Sequence, residues 1–509
     1  MKALTVLFFL ITVNLISYSQ ELKFKIEGIP DTTVHLVKYV GSKLYYADTA
    51  QIKKGMVRFD GSKQEPGILA VLLPGQRYFE FIYNDEEVYI ETKSPNFIEN
   101  MVVKKSKENK IFLDYIREIQ SSSLKAKELN EQKSKLDPSD KEGITKISSE
   151  IDAIGKSVTD YQKNLVKSNP STFVAKVVRM SSDVVIPEPP KNPDGSLVDS
   201  SYSYKYLRDH YFENIDFSDD RLVNTPVLQK KLEYYYSDRM LLQHPDTLIK
   251  YLTRVVDSIP EGSMMYRFFV TNLTSHFEKS KIMGMDKVMN VFVDRYYCAR
   301  DKEGNPKGYW MDSEKLDDLC KDTKTRLRLV QGVIPPNIIL PDSTNIVWHS
   351  LYDIDKEYII LYFWDPNCGH CKKETPKLQT LYDKKLRDRG IEIFAVGKAT
   401  GDDFEAWKKF IRDNNLSFIN VGVTEKIYQQ AKKNPRELIP SKTTLESLNY
   451  QETYDIFSTP RVWVLDADKK IIAKSLSVAQ LERLFDRLQD KEDLPKIFEL
   501  ESESEESAE

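Results

Sequence analysis

Cys368 and Cys371 are separated by two residues in the run FWDPNCGHCKKETP, Phe363 to Pro376, with His370 beside the second. Three chemistries use this spacing: a zinc half-site, a structural disulfide, and a thiol pair that exchanges electrons. A structural zinc site wants four ligands, usually from two close-spaced pairs. The run supplies one pair, and the other cysteines, Cys298 and Cys320, lie in a different block of the chain. No metal is therefore expected. A static disulfide closing so small a ring would contribute little chain-entropy stabilisation. Electron exchange has the better physical fit. Cys368 follows an apolar, strand-like run and opens a helical one, so its sulfur meets unpaired backbone N–H groups and the positive end of a helix dipole. Both favour the thiolate, the attacking species. Cys371, one turn on, is expected to be more protected and to resolve the mixed disulfide that Cys368 forms.

The elements that must position this pair follow from the patterning around it. EYIILYFW reads as a buried strand, residues 369–389 as a helix, IEIFAVG as a second strand and DDFEAWKKFIRDN as a second helix. RVWVLD and KKIIAKS read as paired strands and SVAQLERLFDRLQ as a closing helix. This β-α-β order spans 334–490 and is introduced by the proline-punctuated segment GVIPPNIILPD. Upstream, short alternating or apolar runs separated by Gly, Asn-Asp and Pro-Gly over 21–100 predict an all-β sandwich, with hairpin turns at Lys54-Gly55 and Asn84-Asp85. From 101 to 330 the apolar period becomes helical, broken at Asp137-Pro138 and by the loop VVIPEPPKNPDGS. The expected fold class is multidomain: β-sandwich, helical middle domain, C-terminal α/β domain.

Residues 1–19 carry Lys2, an apolar run and small residues at Ser17 and Ser19, the pattern of a cleaved signal peptide. The run is short of the ~20 residues a membrane span needs. The mature chain is thus expected to be exported and not embedded in a membrane, in a compartment where disulfides persist. At 509 residues with a net charge of −4 the chain has room for about three domains and no basic field for nucleic acid. The end of the chain, 491–509, is acidic and poor in apolar residues, and reads as disordered. Cys298 ends one helical run and Cys320 lies in the next, so the two form either a structural disulfide or two buried free thiols.

The run around Cys368 resembles the active site of the thioredoxin superfamily, and more closely the exported thiol–disulfide oxidoreductases of the TlpA/ResA type. The likeness covers 334–488. Pro376 matches that family's helix-kinking proline, and Ser458-Thr459-Pro460 its cis-proline loop. The resemblance implies a thioredoxin fold, protein thiols and disulfides as substrates, no cofactor, and a membrane electron donor as an expected partner. It implies that Cys368 attacks and Cys371 resolves. Thr459 and Pro460 would present backbone to substrate, and Trp364, which keeps an aromatic position of the motif, would line the same path. Glu374 matches the acid/base that manages the proton on the resolving thiol, the alternative being an ordinary solvated helix charge. Tyr362 stands where thioredoxin has a buried Asp, and Asn367 where it has Trp. The inner Gly369-His370 is that of protein disulfide isomerases, and a His there makes the disulfide easier to reduce. That pulls against the reductant role implied by the TlpA/ResA likeness, leaving reductant and isomerase both open. A segment of some forty residues between Gly422 and Thr459 exceeds what a minimal thioredoxin needs. It either shapes a partner surface or covers an edge. The whole layout is similar to a group of exported Bacteroidetes proteins whose β and helical domains have no known function, a likeness that implies a periplasmic setting and supplies no substrate. A rival reading is a ligand- or protein-binding module in which the thioredoxin fold is a passenger.

Overall fold

The computed structural model describes residues 20–500. The expected signal peptide and residues 501–509 of the expected acidic tail lie outside the described residues. The chain divides into two compact units, one of residues up to 243 with 251–269, the other of 244–250 with 270 onward.

The first unit opens with eight strands: β1 (Glu21–Glu27), β2 (Thr32–Val40), β3 (Lys43–Ile52), β4 (Met56–Asp60), β5 (Gly67–Leu73), β6 (Arg77–Tyr83), β7 (Val88–Lys93) and β8 (Val102–Lys105). They form two four-stranded sheets, ordered β4-β1-β7-β8 and β3-β2-β5-β6. Alternation sets the facing: in ELKFKIE, Leu22, Phe24 and Ile26 are wholly buried while the residues between them reach solvent. Phe24 meets Phe59, Phe79 and Phe81 at ring-centroid distances of 6.3, 5.8 and 4.9 Å, the centre of the sandwich core. Lys54 and Gly55 take positive φ (48° and 75°) between hydrogen-bonded Lys53 and Met56, a tight two-residue turn. The expectation of a hairpin at Asn84-Asp85 is corrected. That turn passes the chain from β6 in one sheet to β7 in the other, where β7 pairs parallel to β1.

Helices α1 (Lys107–Ser134), α2 (Lys141–Ser168) and α3 (Phe173–Ser181) follow, with the expected break at Asp137-Pro138 falling between the first two. Ser106 caps α1 through the Asn109 N–H, and Asn109 bonds both the N–H and the C=O of Ile82 on β6. The buried Glu108 carboxylate accepts from the N–H groups of Phe173 and Val174, neutralising the start of α3. Two consecutive residues of α1 thus tie the sandwich to the helices. Then come α4 (Tyr202–His210), α5 (Pro226–Tyr236), α6 (Pro245–Val256) and α7 (Met264–Glu278).

The second unit contains α8 (Met285–Val293) and α9 (Ser313–Leu327). Cys298 and Cys320 are disulfide-bonded, with Cα atoms 5.6 Å apart. A two-stranded ribbon of β9 (Ile339–Pro341) and β10 (Trp348–Ser350) precedes the α/β domain. That domain runs β11 (Tyr358–Trp364), α10 (Gly369–Leu381), β12 (Ile391–Gly397), α11 (Asp403–Asp413), β13 (Ile419–Val421), α12 (Glu425–Lys433), α13 (Leu445–Leu448), α14 (Tyr450–Thr453), β14 (Arg461–Asp466), β15 (Ile471–Lys474) and α15 (Val478–Leu488). Its five-stranded sheet has the order β13-β12-β11-β14-β15. Strand β11 is central, parallel to β12 and antiparallel to β14. One face packs on residues of α10, α11 and α15, the other on the segment between β13 and β14. That segment therefore covers a sheet face: Tyr450 and Tyr454 lie 5.8 and 5.0 Å from the Phe363 ring.

Disorder from residue 491 is corrected for the part described. The buried Glu482 carboxylate accepts from the N–H groups of Ile497 and Phe498, and Lys496 pairs with Asp486 at 2.8 Å. Ile497 and Phe498 pack on the core beside α15, giving the segment the apolar anchor that its charge content conceals.

Candidate active site

The site stands at the C-terminal end of β11. YIILYFW is buried along nearly its whole length, as a strand covered on both faces must be. Asp365-Pro366-Asn367 ends it: Asp365 accepts from the Asn367 N–H at 2.7 Å, and its carbonyl accepts from the Cys368 N–H at 3.2 Å. Lys398, just past the parallel strand β12, reaches Asp365 at 3.4 Å and Asp403 at 3.0 Å, while Asn367 donates to Asp403 at 2.6 Å. This lattice fixes the turn that delivers Cys368.

Cys368 is the N-cap residue of α10 and is half-buried; Cys371, one turn into the helix, is fully buried, and both are free thiols. Their environments pull them apart. Burial raises the Cys368 pKa, but hydrogen bonds from the Cys371 N–H and the Thr459 side chain outweigh it, and the net shift is downward. Burial pushes the Cys371 thiol up to about 12. The result is a near-surface thiol poised to ionise above a thiol that stays protonated. The Cys368 thiol lies 3.3 Å from the Thr459 carbonyl oxygen, and the Thr459-Pro460 peptide is cis, as the resemblance implies.

A cleft of ≈ 700 Å³ beside the pair is lined by His370, Glu374, Thr459 and Pro460 among others. His370 is exposed. Glu374 keeps 16 % of its side chain exposed and pairs with Lys377 at 2.7 Å. Pro376 lies inside α10, where it leaves the Lys372 carbonyl without its helical partner. Trp364 is corrected. Expected on the substrate path, it is 1 % exposed, in the core with Cys371 and Tyr362 and 5.0 Å from the Phe410 ring. Strand alternation decides this: residues 360, 362 and 364 share the face that α10 and α11 cover. Cys298 and Cys320 lie outside the site, in α9 and the turn after α8.

The sequence marked Tyr362 only as the residue at thioredoxin's buried-Asp position, and two further features went unread. Tyr362 is buried and its hydroxyl bonds Thr375 at 2.8 Å, filling the space beneath the pair with a neutral group. The Asp365–Lys398–Asp403 lattice was visible only as scattered charges. Arg461, directly after Pro460, stands on the rim of the cleft; a cation abutting the Thr-Pro pair was its signal. Among the described residues, no group of three or more His, Cys, Asp or Glu is placed to share a metal ion. No described helix is long and apolar enough to cross a membrane.

Residues 355–471 match a family described as thioredoxin-like, and residues 21–112 and 157–324 match two domains of unknown function. The thiol-disulfide oxidoreductase ResA of Bacillus cereus is 24 % identical over 185 residues, which is 36 % of this chain and 83 % of that protein. ResA of Bacillus subtilis is 33 % identical over 88 residues, 17 % of this chain and 47 % of that protein. A solved domain of a possible thiol-disulfide isomerase from Cytophaga hutchinsonii is 36 % identical, covering 32 % of this chain and 94 % of that one, with a TM-score of 0.25.

Proposed function

From a chain whose C-terminal domain belongs to the thioredoxin-like thiol–disulfide oxidoreductases, we propose an exported enzyme that exchanges disulfides with protein substrates through Cys368 and Cys371. The observation that carries the reading is the split environment of the two thiols, one capping α10 and tuned toward thiolate, one buried and held protonated. In the reducing direction, the Cys368 thiolate attacks one sulfur of a substrate disulfide. A Cys368–substrate disulfide forms, and the other substrate sulfur leaves as a thiolate that takes up a proton. Cys371 then gives up its proton and attacks the Cys368 sulfur, releasing the second substrate thiolate. Two electrons and two protons pass to the substrate, and the pair becomes a disulfide. Glu374, in the cleft three residues beyond Cys371, is the carboxylate to accept and return that proton. The oxidised pair is recharged by a membrane dithiol donor; an isomerase would instead return to the dithiol on each cycle.

Export and a periplasmic setting are supported by the pattern of residues 1–19 and by the Cys298–Cys320 disulfide, a bond that persists in oxidising compartments. The deciding experiment is the reduction potential of the Cys368–Cys371 pair in poised glutathione buffers, read by thiol mass. A value near thioredoxin's, roughly −270 mV, assigns a dedicated reductant; one near roughly −180 mV assigns an isomerase. A pair that never titrates sinks the exchange reading and favours the binding module.

A further inference from the structure

The cleft beside Cys368 does not end at the cis-proline loop. A second cleft of ≈ 670 Å³ shares Arg461, Ser475, Leu476 and Gln480 with it, so the two join around the start of β14. Strand alternation places Val462 on the Cys371 face and Trp463 on the opposite one, and Arg461 goes with Trp463 into the second cleft. Arg461 therefore stands where the two clefts meet, one residue after Pro460.

The charges there are unbalanced. Lys281, Arg326, Arg461 and Lys474 line the second cleft against two carboxylates, Asp286 and Asp455. Both carboxylates are taken: Asp455 pairs with Arg326 at 2.9 Å, and Asp286 pairs with Lys474. Arg461 has no ion pair among the described residues, and its Nε is buried with no hydrogen-bond partner. A buried charged donor left without a partner is costly, and a carboxylate is the group that satisfies a guanidinium's planar fork. Apolar groups flank it. Phe457 is 78 % exposed, Ile282 51 % and Met283 45 %, although such side chains are ordinarily covered.

We propose that Arg461, with Phe457 and the 281–283 loop, forms a subsite that selects disulfide substrates carrying an acidic residue and an apolar neighbour close to the reacting cysteine. The proposal rests on the exchange reading above. The occupant is an extended polypeptide segment. It pairs with backbone at Thr459 and continues to Arg461, two residues or ~7 Å along the strand, so the acidic residue belongs about two positions from the cysteine. Its carboxylate takes the Arg461 guanidinium, and its apolar neighbour covers Phe457 and Met283.

The test uses the reduced full-length mature protein and synthetic peptide disulfides that differ only in Glu, Gln or Lys two residues from the cysteine. The expected result is a kcat/KM for the Glu peptide about tenfold or more above that for the Lys peptide at low salt, shrinking at high salt. Arg461→Gln should bring the ratio to within about twofold, and Arg461→Glu should invert it. Because each ratio is taken within one variant, partial loss of folded protein cancels. Equal rates for the Glu and Lys peptides in the unmodified protein, or a preference that survives Arg461→Gln, would overturn the subsite. If a chain ending at Leu500 gains a Glu preference that the full chain lacks, the acidic C-terminal segment is the occupant, and the substrate assignment is overturned. Turnover of the neutral 2-hydroxyethyl disulfide by the unmodified protein separates the two levels. Its absence would defeat the exchange reading, whereas its presence with no charge preference would defeat the subsite alone.

Discussion

Cys298 and Cys320 are separated by 22 residues, lie on a helix and the turn that ends its neighbour, and are bonded; Cys368 and Cys371, in the same compact unit, share one helix start and are free. The difference is one of what surrounds each sulfur. The bonded pair closes a long loop, so its bond restricts the unfolded chain. The free pair closes almost no loop, so a bond there restricts little. It sits instead where an N-cap, a buried core and a cis-proline loop give two identical thiols opposite proton affinities. A cysteine pair is thus structural or reactive according to its place in the fold, and every test that follows should move one pair and leave the other alone.

The largest effect is expected at Cys368. Cys368→Ser should lower disulfide turnover on the order of 10³-fold or more, to background, in an insulin-reduction assay. Cys371→Ser should retain the first attack and accumulate mixed disulfides, visible on non-reducing gels. The same asymmetry has a pH signature. Iodoacetamide should modify Cys368 with a midpoint below the ordinary thiol range of about 8.5, because a lowered pKa puts the thiolate at lower pH. Cys371, pushed up to about 12, should stay unmodified through that range. Equal labelling of both thiols at neutral pH would break the comparison.

Removing the other pair should act on stability alone. Cys298→Ala with Cys320→Ala opens a loop whose closure is worth about 3 kcal/mol in the chain-entropy model. Denaturant unfolding should show that loss, with the potential of the Cys368–Cys371 pair unchanged. A shift in that potential would mean that the two pairs communicate.

Glu374→Gln comes next. If its carboxylate moves the Cys371 proton, release of the mixed disulfide should slow roughly a hundredfold, at the low end of what general acid–base catalysis supplies, with the first attack unaffected. An unchanged release rate would return Glu374 to the role of a helix charge held by Lys377.

How far the sequence disclosed this depends on the range over which its signals act. The strand–Cys-x-x-Cys–helix order and the Thr-Pro before a strand pair are local patterns, and the fold follows them closely from β11 to α15. Trp364 was misplaced because a motif position says nothing about which face of a strand is covered; alternation from Ile360 and Tyr362 would have put it in the core. The turn at Asn84-Asp85 has hairpin chemistry, yet strand pairing is decided by partners far along the chain, and β7 chose β1. The tail past residue 491 looked unable to fold because composition averages over Ile497 and Phe498, whose N–H groups a buried carboxylate captures. Arg461 was passed over because the shortage of carboxylates around it exists only where two clefts meet.

The smallest effect, and the one that sharpens the comparison most, is expected at His370. It lies between the two reactive cysteines, lines the cleft and is exposed, so its charge is screened and its hold on the Cys368 thiolate is modest. His370→Pro should make the pair more reducing by roughly 30 mV, a factor of about ten in the exchange equilibrium, well short of the roughly 90 mV between thioredoxin and protein disulfide isomerase. The direction follows from what the imidazole does. It favours the thiolate, which belongs to the reduced form, so its loss destabilises the dithiol relative to the disulfide. A shift of the full 90 mV would make His370 the dominant control of direction. A shift of zero would leave the potential to the backbone N–H of Cys371, the Thr459 side chain and the buried Tyr362.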